Sequence, residues 1–359
     1  MSYQNISTPR FYVSILQFLN YFGLLNGSFS SGHFFNKNEL ELVNLNPARQ
    51  GNFQVNSGGG DFAISYSYLN NSFADIMPKK KNFTMILGHN FSNVEVFTGK
   101  GSDYVLNQLA NTPLVNYSEG DSGLKNIYNG FSISIGDNAD DLIDNDPIKF
   151  IIKQGYTLGF NYKLGSVAYG TYYDMPVNPN LSLTTFYNYG NSDEMKSYKG
   201  STFTNQSWLK PPAWGDGGAW ELYDYESQTQ SWDGTVNLTD KKFSRSGRRI
   251  WKLTFSYIDD GDIFGSNQSL SNINYTNTNY DSGDIIDGDF EYNLLTDDNF
   301  FSQVWHKTLG GSLPFVFQPD KLNKNPDQFF ICKIVNNSLK ITQSSFNVYD
   351  VSLDIQEVW

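Results

Sequence analysis

The chain has 359 residues, of which 39% are hydrophobic, 16% are aromatic and only 17% are charged, with a formal net charge of −12. This length is enough for two domains. The negative charge argues against a nucleic-acid groove, which needs clustered Lys and Arg, and the aromatic content argues against a disordered chain. Abundant Tyr, Phe, Asn and Gly are typical of a protein built mostly from β-strands and turns.

Residue types that carry catalysis or bind metals are scarce. The sequence has one cysteine, Cys332, and three histidines, His33, His89 and His306. It has no Gly-x-Ser-x-Gly nucleophile elbow, and its acidic runs lack the spacing of a calcium-binding loop. His89 follows Gly88 at the end of a predicted strand, and we interpret it as a structural turn residue. We therefore predict no catalytic residues, no metal site and no cofactor, and we expect the protein not to be an enzyme.

The N-terminal region is predicted to be a helix within an arm that covers residues 1–44. Thr8 and Pro9 form a helix start, because a capping hydroxyl precedes a proline at the first helical position. Apolar residues follow at helical spacing: Phe11, Tyr12, Ile15, Leu16, Leu19 and Phe22. Gln17 and Asn20 interrupt this run, so we predict no membrane insertion. The helix either docks on its own domain or reaches a neighbouring subunit, and we expect the β-rich core to fold without residues 1–27.

Residues 45–190 are predicted to form a jelly-roll-like β-sandwich. From about residue 50 apolar residues recur at every second position, as in half-buried antiparallel strands. The clearest runs are Phe62–Tyr68, Phe83–Leu87, Phe131–Ile135, Tyr156–Leu164 and Leu181–Tyr187.

Residues 191–359 are predicted to form a second β-sandwich with one flanking helix. We expect a strand near 194–204, a long loop over 205–245 and a helix at about 298–309 that ends at Gly310-Gly311. Trp251, Leu253, Phe255 and Tyr257 alternate, which predicts that all four lie on one buried face. A final alternating strand is expected to run to the C-terminus.

The long loop contains a group of aromatic residues that needs a partner surface. Large aromatic side chains are enriched at the centres of protein interfaces, and aromatic rings also stack on sugar faces. We therefore predict that these residues contact either another subunit or a glycan: Trp208, Trp214, Trp220, Tyr223, Tyr225 and Trp232.

Several segments resemble structural proteins of tailed phages. The segments 82–90, 165–176 and 247–255 are similar to strands in jelly-roll modules of marine-phage virion proteins. The order of a helix, the sequence Gly-Gly-x-Leu-Pro-Phe at 310–315 and paired strands resembles the tail-tube-like β-sandwich of distal tail proteins. Distal tail proteins usually begin with this tube-like sandwich, whereas here it comes last.

This resemblance implies a structural component of a phage tail or baseplate, made in the host cytoplasm and located in the virion. It implies a ring homo-oligomer, expected to be a hexamer, that joins the tail tube to other tail or baseplate proteins. The alternative is a receptor-binding or fibre-type adhesin whose aromatic loop recognises a host surface glycan.

Overall fold

The structure is a computed structural model that describes most of the chain. It describes residues 6–30, 34–47, 49–54, 62–69, 73, 76, 81–89, 93–98, 114–115, 131–136, 147–152, 161–188, 192–206, 248–264, 295–323, 328–335 and 338–358. These residues form mostly antiparallel β-strands with few helices, which confirms the predicted fold class. The finer jelly-roll-like and tail-tube-like assignments stay predictions.

Twenty strands are numbered in chain order. The first ten are β1 Arg10–Ser14, β2 Leu25–Phe29, β3 Phe34–Phe35, β4 Gly51–Gln54, β5 Phe62–Tyr68, β6 Asn82–Leu87, β7 Asn93–Thr98, β8 Leu114–Val115, β9 Phe131–Gly136 and β10 Ile148–Ile152. The remaining ten are β11 Asn161–Leu164, β12 Ser166–Asp174, β13 Thr184–Asn188, β14 Ser192–Lys196, β15 Thr202–Gln206, β16 Arg248–Asp259, β17 Phe315–Gln318, β18 Phe330–Ile334, β19 Lys340–Ser345 and β20 Val348–Glu357. The helices are α1 Ile15–Tyr21, α2 Asp260–Ile263 and the π-helix α3 Phe301–His306, and Glu39–Glu41 forms a 3₁₀ turn.

Ten of the described strands form one antiparallel sheet, the main sheet. Its strand order is β13-β16-β20-β18-β17-β1-β12-β6-β9, and β19 pairs with β20 beside this path. A second sheet has the order β2-β5-β10-β7-β8, a third has the order β11-β4-β3, and β14 and β15 form a separate hairpin. The main sheet takes strands from residues 1–44, 45–190 and 191–359. The predicted boundaries therefore do not separate independent sheets.

The prediction that a helix starts at Pro9 is wrong for its first turn, because residues 10–14 form strand β1. This strand lies inside the main sheet, paired on one side with β12 and on the other with β17. Residues 11–14 are buried and lie on both faces of the sheet, so β1 lacks the contrast between a buried apolar face and an exposed polar face that marks a half-buried strand. The helix begins only at Ile15, where the Ser14 hydroxyl accepts a hydrogen bond from the Gln17 amide. The central pairing of β1 therefore argues against the expectation that the core folds without residues 1–27.

One face of β6 and β12 packs against the five-stranded sheet, so these two layers form a β-sandwich. Helix α1 closes one end of this sandwich with its buried apolar side chains. The enclosed residues, here called the sandwich core, include Ile15, Leu16, Leu19, Phe62, Ile64, Tyr66, Ile86, Ile148, Phe150, Val167 and Tyr169.

The same face of the main sheet continues into a second core, which the two C-terminal helices cover. This helix-covered core includes Phe11, Val13, Tyr173, Trp251, Leu253, Phe255, Ile263, Phe300, Val304, Phe315, Phe317, Phe330, Cys332 and Ile355. Alternate residues of the same strands point to the opposite face. There they form the outer core, which includes Tyr12, Leu45, Phe83, Met85, Phe131, Ala168, Tyr172, Val316, Phe329 and Ile331.

One residue of strand β16, Tyr257, was predicted to be buried but is exposed. Trp251, Leu253 and Phe255 are buried as expected, but Tyr257 is 81% exposed and has a φ of 61°. The pairing of β16 with β20 shifts its register between Phe255 and Ile258, which is the signature of a β-bulge. The bulge turns Tyr257 outwards and brings Ile258 into the helix-covered core.

The replacement Trp251→Ala is expected to lower the free energy of unfolding by about 3–5 kcal/mol, the usual cost of deleting a large buried aromatic side chain. The Trp251 ring is 3% exposed and lies 4.9 Å from the ring of Phe330 and 5.5 Å from that of Phe317. Denaturant titration measures the change. Tyr257→Ala on the same strand is the control, with an expected loss below about 0.5 kcal/mol. Equal losses in the two variants would contradict this assignment of the buried face.

Candidate interaction surface

The six predicted contact residues, Trp208, Trp214, Trp220, Tyr223, Tyr225 and Trp232, all lie outside the described residues. Their role as subunit or glycan contacts stays a prediction. The structure does describe the segment that leads into them. The strand predicted near 194–204 is a hairpin of two strands, β14 and β15, joined by a turn at residues 197–201.

This hairpin, here called the hairpin arm, has large apolar side chains that are exposed to solvent. Met195 and Phe203 are opposite each other in the register, so they share one face of the two-stranded sheet. They are 68% and 67% exposed, and Tyr198 in the turn is fully exposed. An isolated two-stranded hairpin is at best marginally stable in water. The apolar face of the hairpin arm is therefore a candidate contact surface.

A second exposed aromatic surface lies at the C-terminal end of α1. Tyr21 is 65% exposed and Phe22 is 51% exposed. The Phe22 ring lies 5.0 Å from that of Phe18 and 5.3 Å from that of Tyr21, so the three rings form one cluster. The opposite side of α1 is buried in the sandwich core. The helix thus docks on its own fold while its aromatic end faces solvent.

The only histidine whose surroundings suggest chemistry among the described residues is His89. Its Nε2 atom lies 2.8 Å from the Ser132 hydroxyl, but both side chains are buried, at 5% and 2% exposure. A serine and a histidine enclosed in this way offer no access for a substrate. Among the described residues no group of three His, Cys, Asp or Glu side chains could hold a metal ion. No helix in this part of the chain has the length and apolar character needed to cross a membrane.

Two of the ion pairs that join distant segments of the main sheet have both charged side chains at 20% exposure or less, and nothing in the local sequence indicates them. The Arg249 guanidinium donates to Glu357 at 3.2 and 3.3 Å while lying 4.0 Å from the ring centre of Phe330, and both charged groups are buried. Arg10 donates to Asp174 at 2.5 and 2.9 Å. Burial opposes ionisation of Asp174, but the hydrogen bonds and charges of Arg10 and Lys321 together outweigh it and lower the pKa of this carboxyl. These pairs fix strand register and are not exposed enough to bind a partner.

Comparison with known proteins gives no family for this chain. No protein-family model matches it, and no curated protein matches it. One solved structure that matches is CBM32-1 from a family 31 glycoside hydrolase of Clostridium perfringens, at 11% identity. The match covers 41% of this chain and 94% of that chain, with a TM-score of 0.25. A TM-score this low supports no assignment of fold or function.

Proposed function

We propose that this chain is a structural component of a phage tail or baseplate, located in the virion, and that it acts by assembly and not by catalysis. In this role it forms a ring and connects the tail tube to distal or peripheral parts. The resemblance of its strand segments to tail proteins suggests the setting. The exposed apolar face of the hairpin arm is the observation that carries the assembly role.

The apolar face of the hairpin arm is unfavourably solvated while it is exposed to water. Isolated exposed apolar residues are common, but Met195 and Phe203 form a directly opposed pair, and Tyr198 lies at the tip of the same hairpin. Methionine and aromatic residues are enriched at the centres of protein interfaces. A partner that covers this face removes the apolar surface from water and also stabilises a hairpin that is marginal alone.

A ring also needs two different surfaces on each subunit, because a heterologous contact joins one patch to a different patch of the next copy. The chain offers the hairpin arm as one and the aromatic end of α1, with Tyr21 and Phe22, as the other. The two belong to different parts of the fold. These two exposed apolar surfaces could therefore act as the two different patches that a closed ring requires on each subunit.

The double replacement of Met195 and Phe203 by serine is expected to abolish self-association. Because both side chains lie outside the cores, its thermal midpoint is expected to lie within about 2 °C of that of the unaltered chain at a dilution where that chain is monomeric. Light scattering of the purified chain measures the mass, and calorimetry measures the midpoint. Leu322→Ser is the matched control, because Leu322 is 78% exposed but belongs to neither surface. It is expected to assemble like the unaltered chain.

Two outcomes would count against the ring. One is a double variant that assembles as well as the unaltered chain. The other is a chain that stays monomeric at every concentration and binds host-surface glycan on an array, with binding lost in the double variant. That second result would support the alternative, a receptor-binding adhesin.

A further inference from the structure

A lysine side chain is buried between the main sheet and helix α3. Lys307 directly follows α3 and is 1% exposed. Its amine donates to the Gln303 side-chain oxygen at 2.7 Å and to the Thr171 hydroxyl on β12 at 3.3 Å. Neither acceptor is charged. A buried ammonium with only neutral acceptors is costly, since neutral dipoles replace only part of its hydration.

Gln303 extends this contact to the segment in front of the helix. Its amide nitrogen donates to the carbonyl oxygens of Leu295 and Asp297, at 3.2 and 2.6 Å. A continuous series of hydrogen bonds therefore runs from strand β12 through Lys307 and Gln303 to the turn at residues 295–299. Lys81 pairs with Asp298 of the same turn at 2.6 Å. This series holds the turn and helix on the sheet together with the buried side chains of Phe300 and Val304.

Further polar groups lie beside Lys307 on the same face of the main sheet. Asn82 is opposite Thr171 in the register, is 1% exposed, and neither polar atom of its side chain has a hydrogen-bond partner. The buried hydroxyl of Tyr169, two residues before Thr171, also has no hydrogen-bond partner. These groups form a polar boundary between the sandwich core and the helix-covered core. Polar atoms left unpaired in a buried site favour any rearrangement that brings them to water.

We propose that Lys307 is a proton-operated latch for the segment from residue 295 to residue 313. With a neutral amine the segment stays closed on the main sheet. Protonation favours its opening, because the ammonium then reaches water. This inference does not depend on the proposed function.

The charges around Lys307 set the direction of the response. Burial lowers the pKa of Lys307 to about 7, and the charge of Asp298 opposes this shift. In the open form the amine has the pKa of a hydrated lysine, about 10.4. The titratable groups on the surrounding elements include Asp297 and Asp298 of the turn, Lys81, Tyr169, Tyr173, His306 and, on α2, Asp260 and Asp262. Strand β1 presents only the apolar Phe11 and Val13 on this face.

Between these two pKa values the open form binds one proton more than the closed form. The equilibrium constant for opening of the latch therefore rises about tenfold for each unit by which the pH falls from about 10 to about 7. Below about pH 7 this equilibrium constant no longer changes with pH. Hydrogen exchange of the amides at 300–313, corrected for the chemical exchange rate, is expected to show this slope. Amides of Leu253 and Leu353, in the centre of the main sheet, are expected to exchange more slowly at each pH.

Lys307→Met is the matched variant, because methionine is also unbranched and close to lysine in length but has no proton site. Its exchange at 300–313 is expected to be independent of pH over the same range. An NMR titration of the Lys307 side chain in the unaltered protein gives its pKa without any substitution. Three results would each overturn the latch: the same slope in Lys307→Met, no slope in the unaltered chain, or an equal slope at 300–313 and at Leu353, which would indicate global unfolding.

Discussion

Removing residues 1–14 is expected to abolish cooperative folding. Strand β1 lies in the middle of the main sheet, so its loss leaves β12 and β17 without a shared neighbour. It also removes Phe11, whose ring lies 5.3–5.8 Å from those of Phe300, Phe315 and Phe317. Circular dichroism with thermal unfolding is the measurement, and the truncated chain is expected to give no sigmoidal transition.

Deleting only residues 1–5, which precede β1, is the control and is expected to preserve the transition. Addition of a synthetic peptide covering residues 1–14 to the truncated chain is expected to restore part of it, because the peptide supplies the missing strand. A truncated chain that unfolds cooperatively near the temperature of the unaltered protein would refute a central position for β1.

Gly170→Ala is expected to destabilise the protein by about 3 kcal/mol, the upper end of the usual range when a substitution forces a backbone shift in a core. Gly170 lies on β12 opposite Ser14 of β1. A Cβ atom at this position would overlap the carbonyl oxygen of Val13 and lie 2.8 Å from the amide nitrogen of Ile15. Both are backbone atoms, so no side-chain rotation relieves the contact. Chemical denaturation monitored by tryptophan fluorescence measures the loss.

Gly261→Ala is the matched control. Gly261 lies in helix α2, and a Cβ there would meet no atom within 4 Å. Because alanine favours a helix more than glycine does, this variant is expected to be neutral or slightly stabilised. If the two alanine variants were equally stable, β1 and β12 could not approach as closely as described.

The sequence predicted those strands in which large apolar residues alternate with small or polar ones. Strands β5, β16 and β20 follow this alternation, because one face of each strand is more deeply buried than the other. Strand β1 has no such contrast, since cores cover both of its faces, and its apolar run matched a helical spacing by coincidence. The exposure of Tyr257 was also beyond prediction, because a β-bulge is a register shift between two strands and has no mark in one strand alone.

The candidate contact surface and the surroundings of Lys307 were less predictable from the sequence. Alternation in the hairpin arm indicates that Met195 and Phe203 share a face, but not whether that face is covered. The contact of Lys307 with Thr171 joins residues 136 positions apart and follows from tertiary packing alone. The aromatic group of the long loop was predicted from composition, and it stays a prediction.

The place of β1 in the main sheet also bears on when the chain can fold. The Tyr12 hydroxyl donates to the side chain of Gln318, 306 positions further along, and β18 and β20 complete the sheet still later in the sequence. Contacts between such distant residues slow folding, because a large loop must close before they stabilise anything. On the ribosome, residues 10–14 emerge long before the strands that complete their sheet, β17, β18 and β20. The main sheet therefore forms only after β20 has been synthesised, and until then the nascent chain exposes unpaired apolar strands that are prone to aggregate.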